Sequence, residues 1–330
     1  MNDLVFFINK GLLSGMIIGS IYAMGAIGVT MIFGILRFAH FAHGDMMTLG
    51  AFVTLIIAAL LASAGVVLPF PIAFAAIIPA MAVTAVLAIG LDKVFYKPLR
   101  NAGARPVVLV MASVGVTLML QGLIRLFAGV RARDMFIDQP KDIFQIPFPG
   151  ASRAVILTEP QIVLIGFTVI AVLALHLFLT RSRLGKAMRA VSDNPELARI
   201  TGINTNHVVW ATWIIGGGLA CAAGSLLSMD VTLKPDLSFN ILLPIFAATI
   251  VGGIGQPYGA IAGGFLVGFC ETLAVFNWSV LLRPIQDSLW FELPRNMALV
   301  PTEYKLMVPF LILIIVLIYR PTGIFRGRVL

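Results

Sequence analysis

Two histidines three residues apart, His40 and His43, stand in the string RFAHFAHGD, with Asp45 close behind them. Imidazoles beside a carboxylate could hold a metal, relay a proton, or hydrogen-bond at the edge of an apolar run. A zinc site needs three or four ligands, and the nearest other histidine, His176, falls in a different apolar run, so no metal site is expected. That leaves a junction role or a place along a polar path, since ionisable groups at membrane depth are usually functional.

A second candidate is the glycine-rich string GGIGQPYGAIAGG at 252–264. It could be read as a phosphate cradle, but a dinucleotide site needs a βαβ unit around the glycines, and both flanks here are apolar runs. The chain has no GxxxxGK[ST] motif, so it is not expected to bind ATP through a P-loop. Gly252, Gly253, Gly255, Gly259 and Gly263 are therefore read as a helix break with close helix contact. Gly44 marks a similar break at 42–52, AHGDMMTLGAF. One such break in each half of a chain is a feature of transporters built from paired repeats. Gly11, Gly15, Gly19 and Ala23 recur every four residues and predict a helix-packing face.

The third candidate is RSRLGKAMRAVSDNPELARITGINTNHVV at 181–209. LGKAMRAV favours a helix; Asp193 or Asn194 is the expected cap of a second one, with Pro195 at its first position and ELARI following. Two short helices with a tight junction are predicted, bearing an apolar face of Leu197, Ala198 and Ile200. A plain connecting loop needs neither the caps nor that face, so the segment is read as a docking surface for a partner.

The elements that position these residues follow from composition. The chain has 330 residues, 59% hydrophobic and only 12% charged, with a mean hydropathy of +1.00. Soluble domains are about 25% charged, and a soluble fold of this size would lack the polar surface to cover itself. A soluble enzyme, a disulfide-built secreted module and a disordered chain are excluded, and an all-α polytopic integral membrane protein is expected. Cys221 and Cys270 both lie in apolar runs and imply neither a disulfide nor a thiolate metal site. The net charge of +8 comes from residues between apolar runs, which does not suggest nucleic acid. The N-terminal segment lacks a cleavage signal, so the first span is expected to insert uncleaved.

Uncharged runs place spans at 11–36, 46–64, 72–91, 106–124 (continuing past Arg125 to 130), 161–180, 207–229 and 306–319, with Pro69 and Pro71 turning between the second and third. The stretch 241–276, interrupted by the glycines, is either two short spans or a re-entrant pair, giving eight or nine membrane segments. Basic residues crowd into 92–105 (Lys93, Lys97, Arg100, Arg105), 181–206 (Arg181, Arg183, Lys186, Arg189, Arg199) and 320–330 (Arg320, Arg326, Arg328), together with Arg37. These segments hold only Asp92, Asp193 and Glu196 as acids, while the opposite set balances its charges. The basic set is expected to be cytoplasmic, which puts the N-terminus outside and the C-terminus inside.

Several strings together carry a family resemblance. They are GxxxGxxYAxxAIGxTMIFGI at 15–35, FAHGDMMTLGAF at 41–52, VFYKPLR at 94–100, RSRLGKAMRAVSDN at 181–194, GIN at 202–204, GGIG..GAIAGG at 252–264 and RPTG at 320–323. In these the chain resembles the permease subunits of bacterial branched-chain amino acid ABC importers, in particular their LivH-like member. The resemblance implies a single transmembrane domain over 1–330 with a cytoplasmic coupling loop at 181–206 inside it. It further implies a second related permease, two cytoplasmic ABC ATPase subunits and a periplasmic or extracellular substrate-binding protein, all working in the lipid bilayer of the bacterial inner membrane. ATP and Mg would sit on the ATPase subunits, with no cofactor and no catalytic residue on this chain. The docking positions it carries over are Gly185, Lys186, Arg189, Ala190, Asn194, Ala198 and Gly202. The implied cargo is a branched-chain or related small amino acid, with urea and short amides open because related permeases carry them.

A reading of a different class is a channel or secondary transporter working alone, with Asp45, Arg125 and Glu271 as its ionisable groups. The capped, basic loop at 181–206 argues against it, since a solitary carrier does not require one. The glycine-broken segments argue against a purely structural membrane protein.

Overall fold

The computed structural model describes residues 2–136, 140–237, 239–283, 294 and 296–325. Arg326 and Arg328 of the basic tail lie outside the described residues, as do 284–293 and 295 of the segment 277–305. Among the described residues, seven helices are long and apolar enough to cross a membrane: α1 (Asn2–Leu36), α2 (His43–Ser63), α3 (Ile72–Asn101), α4 (Pro106–Ala128), α5 (Glu159–Arg181), α8 (Thr205–Asp230) and α10 (Pro257–Val275). Two shorter apolar helices join them, α9 (Phe239–Gly252) and α11 (Met307–Tyr319). Two short helices, α6 (Arg183–Asp193) and α7 (Pro195–Ile200), fill the loop between α5 and α8.

The ends of these helices follow local chemistry. Pro71 precedes α3, Pro106 opens α4, and Gly129 closes α4 in the left-handed region at φ 77°. Thus α4 stops at Ala128, two residues short of the span expected to reach 130. The first helix begins at Asn2, earlier than the expected 11, through a π-helical turn at Ile8–Leu13. Its early turns rest on an antiparallel hairpin, β1 (Ile143–Pro147) and β2 (Ala154–Thr158). The Asn2 amide donates to Ser152 Oγ at 2.8 Å, and Asn9 bonds the backbone at Ala154 and Ile156.

That hairpin marks one end of the bundle, and the α6–α7 pair marks the other, where Arg37 Nη2 donates to the Ser192 carbonyl at 2.7 Å. At the hairpin end, Gln161 of α5 donates to Asp230 of α8, and Arg133 pairs with Leu233 in an isolated bridge. The chain therefore starts α9 at the hairpin end, and α9 finishes at a glycine break whose Gly255 faces Gly34 at the α6–α7 end. The broken stretch is thus two antiparallel crossings and not a re-entrant arm. Its first crossing is short, 14 residues, or roughly 21 Å at 1.5 Å per residue.

α1 and α8 form the enclosed centre, whereas α5 and α3 turn large apolar side chains such as Ile170, Leu177, Ile78 and Val86 outward. Outward apolar faces of this kind suit lipid. The most extensive packing joins α1 to α10. Gly15 and Gly19 lie against Phe269 and Phe265, and a Cβ on Gly264 or Gly268 would come within 2.5 Å of the Ala23 or Gly19 backbone. The four-residue glycine repeat is this seam, and it lets two backbones approach more closely than side chains would permit.

Candidate functional site

The loop at 181–206 forms a capped elbow. Ser182 Oγ accepts from the Gly185 N–H at 2.8 Å and starts α6. Asn194 Oδ1 accepts from the Glu196 and Leu197 N–H groups, both at 3.1 Å, and starts α7 with Pro195 in its first turn. Of the two expected caps, Asn194 fills the role. Gly202 turns the chain at φ 83°, and Asn204 caps α8 through the Asn206 N–H at 3.0 Å. Gly185 lies on the Phe178 carbonyl and the Leu179 backbone with no room for a Cβ, so α6 folds tightly against the end of α5.

Of the positions expected to dock, Gly185, Asn194, Ala198 and Gly202 build the elbow, with Ala198 buried in the cluster of Leu175, Leu179, Met188 and Val208. Lys186 and Arg189 are exposed and Ala190 is half-buried. The expected apolar face of α7 divides: Ala198 points inward, while Leu197 and Ile200 are 58% and 83% exposed. Two exposed aliphatic side chains among Arg183, Lys186 and Arg199 form an unpartnered, cationic and greasy surface.

The elbow touches more than its own two spans. Arg37, the C-cap of α1, adopts φ 60°, a backbone conformation uncommon outside glycine, and its guanidinium reaches the α6 carbonyl of Ser192. Gly34, one turn earlier, lies between Ser192 and Gly255. A cavity of about 260 Å³ opens at this junction, lined by Thr30, Arg189, Ser192, Asp193, Gln256 and Tyr258 among others. α6 and the glycine break thus share one pocket.

At the break, Gly253 and Gly255 take positive φ values of 113° and 81°. Gly252 and Gly259 touch through their carbonyls, and Gly263 packs on the Ala248 carbonyl, so all three positions are closed to a Cβ. The carbonyls at the end of α9 are not bare. Those of Val251 and Gly252 accept from the Ile324 and Phe325 N–H groups at 2.9 and 3.2 Å, which gives the RPTG string a role in seating the C-terminal segment on the break.

The stretch 37–42 between α1 and α2 is non-helical yet largely buried. Ser113 of α4 satisfies part of it, with Oγ accepting from the Phe41 N–H at 3.2 Å, as irregular backbone inside a bundle requires. His40, His43 and Asp45 are at most 1% exposed, and Gly44 is buried in the first turn of α2. His40 Nε2 and the Tyr96 hydroxyl are hydrogen-bonded at 3.0 Å, Tyr96 stacks on Trp213 at 5.5 Å, and the His43 ring lies over Gly28. Among the described residues, neither nitrogen of His43 has a hydrogen-bond partner. The Asp45 oxygens make no well-formed hydrogen bond, and Gln121 and Arg125 of α4 face them. Among the described residues, no three His, Cys, Asp or Glu side chains are grouped to hold a metal. The sequence reading missed Tyr96 and Trp213. VFYKPLR explains the former, because a π-helical turn aims Tyr96 inward while Arg100 clamps the buried Asp92 at 2.6 and 3.0 Å.

A second polar cavity, of about 540 Å³, lies at the hairpin end between α1, α10 and the approach to α11. Glu271 is buried there, accepting from the Tyr22 hydroxyl at 2.8 Å, with Lys305 Nζ at 3.5 Å.

Crossing apolar helices, a glycine-sealed seam and a capped elbow at one end define a polytopic α-helical membrane permease. The chain belongs to the family described as "Branched-chain amino acid transport system / permease component", which it matches over residues 11–317. It is 30% identical to the high-affinity branched-chain amino acid transport system permease protein LivH of Salmonella typhimurium over 325 residues, covering 98% of this chain and 97% of that one. It is also 30% identical to BraD of Pseudomonas aeruginosa, a permease protein of the same description, over 95% and 94% of the two chains. The probable branched-chain amino acid transport permease LivH of Methanocaldococcus jannaschii is 29% identical over 81% of each. No solved structure matches the chain.

Proposed function

We propose that this chain is one of a pair of permease subunits in an ATP-driven importer that brings leucine, isoleucine, valine or a closely related small amino acid across the bacterial inner membrane. The observation that carries this reading is the elbow. Its caps fix α6 and α7 rigidly to α5 and α8, while its exposed face presents Lys186, Arg189, Leu197 and Ile200 to a partner. In this reading two ABC ATPase subunits dock there, with ATP and Mg held on them, and a periplasmic or extracellular binding protein delivers cargo at the hairpin end. The N-terminus is then outside and the C-terminus inside, in keeping with the basic residues at the elbow end.

Closure of the ATPases pushes α6, which pulls on α5 and α8 and, through Arg37 and Gly34, on α1 and the break. The route runs beside the joined pair of α1 and α10, past the break at Gly252, Gly253, Gly255, Gly259 and Gly263, to the 260 Å³ cavity. His40, His43, Gly44 and Asp45 brace it where His43 leans on α1. The named cargo of the relatives supports the amino acid assignment.

The test is uptake by the importer reconstituted with its second permease, ATPases and binding protein, using radiolabelled leucine, isoleucine, valine, urea and acetamide. ATP-dependent uptake of a branched-chain amino acid is expected. Uptake of urea or acetamide with leucine ignored refutes the cargo; uptake by this chain alone, driven by an ion gradient, refutes the importer.

A further inference from the structure

The 540 Å³ cavity at the hairpin end carries both signs of charge, and neither the elbow nor the break uses them. Lys10 enters from α1, Glu271 and Thr272 from α10, and Lys305 from the stretch before α11. Glu271 is only 2% exposed, so its carboxylate has left bulk water. A carboxylate has about four acceptor sites. Here the Tyr22 hydroxyl fills one, at 2.8 Å, and Lys305 approaches no closer than 3.5 Å with a side chain that is 47% exposed. Among the described residues these are its only partners, so the buried carboxylate keeps acceptor sites open for a cationic ligand group. Lys10, on the opposite wall, forms no ion pair among the described residues.

This arrangement selects its ligand by charge. A cation alone would face two ammonium groups, and an anion alone would face the buried carboxylate; a compact ligand carrying both charges meets both. Phe6, Ile18 and Val275 complete the lining with apolar surface. The volume falls within the usual range of about 300–1,000 Å³ for small-molecule sites. Building on the importer reading, we propose that this cavity is an outer station for the amino acid in its zwitterionic form. The ligand ammonium seats on Glu271, its carboxylate between Lys10 and Lys305, and its aliphatic side chain on Phe6, Ile18 and Val275. The station lies on the α1–α10 seam at the end opposite the 260 Å³ cavity, so the same two helices border both.

The test uses the full reconstituted importer with Cys221→Ala and Cys270→Ala, and with Thr302→Cys placed at the cavity rim as a reporter for an impermeant methanethiosulfonate. Leucine is expected to slow labelling. Leucinamide and 4-methylpentanoate, each lacking one of the two charges, are expected to leave it unchanged. Lys10→Gln and Glu271→Gln should each abolish protection. They should also raise the KM for leucine uptake by about tenfold, the effect of losing one charge-assisted hydrogen bond. Lys10 is exposed on α1, so its variant stays informative if Glu271→Gln fails to assemble.

In an importer that takes up leucine, a labelling rate indifferent to leucine overturns the station, as does equal protection by the single-charge analogues. An importer that takes up no branched-chain amino acid overturns the cargo assignment, and the station falls with it unless leucine still protects Thr302→Cys.

Discussion

Adding one methyl group at Gly185 tests the elbow. The Cβ of Gly185→Ala would come within 2.7 Å of Leu179 Cα and 2.9 Å of Phe178 C, and closer still to the Phe178 carbonyl oxygen. Carbon atoms rest at about 3.5–4.0 Å, so α6 must retreat by ~1 Å. It cannot slide freely, because Ser182 holds its start and Arg37 holds its last turn. Overpacking of this kind costs about 1–3 kcal/mol, which lowers the population of the seated elbow by roughly 5- to 150-fold. Gly166→Ala in the same α5 is the control, since a Cβ there meets nothing within 4 Å. Both variants should reach the membrane in normal amount. Ligand-stimulated ATP hydrolysis and leucine uptake by the reconstituted importer should collapse for Gly185→Ala and stay normal for Gly166→Ala. Equal activity of the two variants would refute the claim that α6 must seat tightly on α5.

Three further outcomes follow from the same geometry. Cysteines at positions 101 and 192 should react with an impermeant reagent only in inverted vesicles, and one at position 2 only in intact cells; the reverse pattern removes the docking face from the ATPase side. Gly268→Val should lower the amount of protein in the membrane, since even its Cβ would fall 2.5 Å from the Gly19 backbone nitrogen, and an unchanged thermal melting profile would contradict the sealed seam. Arg37→Ala should reduce leucine carried per ATP hydrolysed while leaving ATPase pull-down intact, because it removes the strut to Ser192 and leaves the exposed face of α6 in place.

Much of this architecture was legible because membranes enforce simple patterns. Long uncharged runs had to be spans, Pro69 and Pro71 had to turn the chain, and Asn194–Pro195 had to start a helix. The hairpin at 143–158 escaped notice: its strands are five residues each, and β1 is exposed along its whole length, so no buried alternation announces it. Gly150 at φ 75°, after Pro147 and Pro149, was the available turn signal. The partners of His40 were beyond reach for a different reason. Tyr96 and Trp213 come from α3 and α8, and only the assembled bundle brings their rings to 5.4 and 5.0 Å from the His40 ring. Nor could spacing reveal that the C-terminal segment would satisfy the carbonyls of the glycine break, as the Ile324 and Phe325 N–H groups do.

The seam decides how motion at the elbow can reach the far side of the membrane. Where side chains separate two helices, each can shift by rearranging rotamers; where Gly19 meets Gly268 and Ala23 meets Gly264, backbone rests on backbone and no rotamer can absorb a shift. α1 and α10 must therefore move as one body. Arg37 ties one end of that body to α6, and Glu271 with Tyr22 lies near its other end, so in the proposed importer a displacement of α6 would reach both polar cavities. The joints that permit the movement lie outside the pair, at Gly253 and Gly255 below α10 and in the non-helical stretch 37–42 after α1. Such an arrangement opens one cavity as it closes the other only if both joints bend. Stiffening either one, by Gly255→Ala at φ 81° for instance, should therefore stop uptake at normal membrane abundance while leucine still protects the outer cavity from labelling. Uptake by Gly255→Ala at the parent rate would show that the break is a packing device and that the pair moves about some other axis.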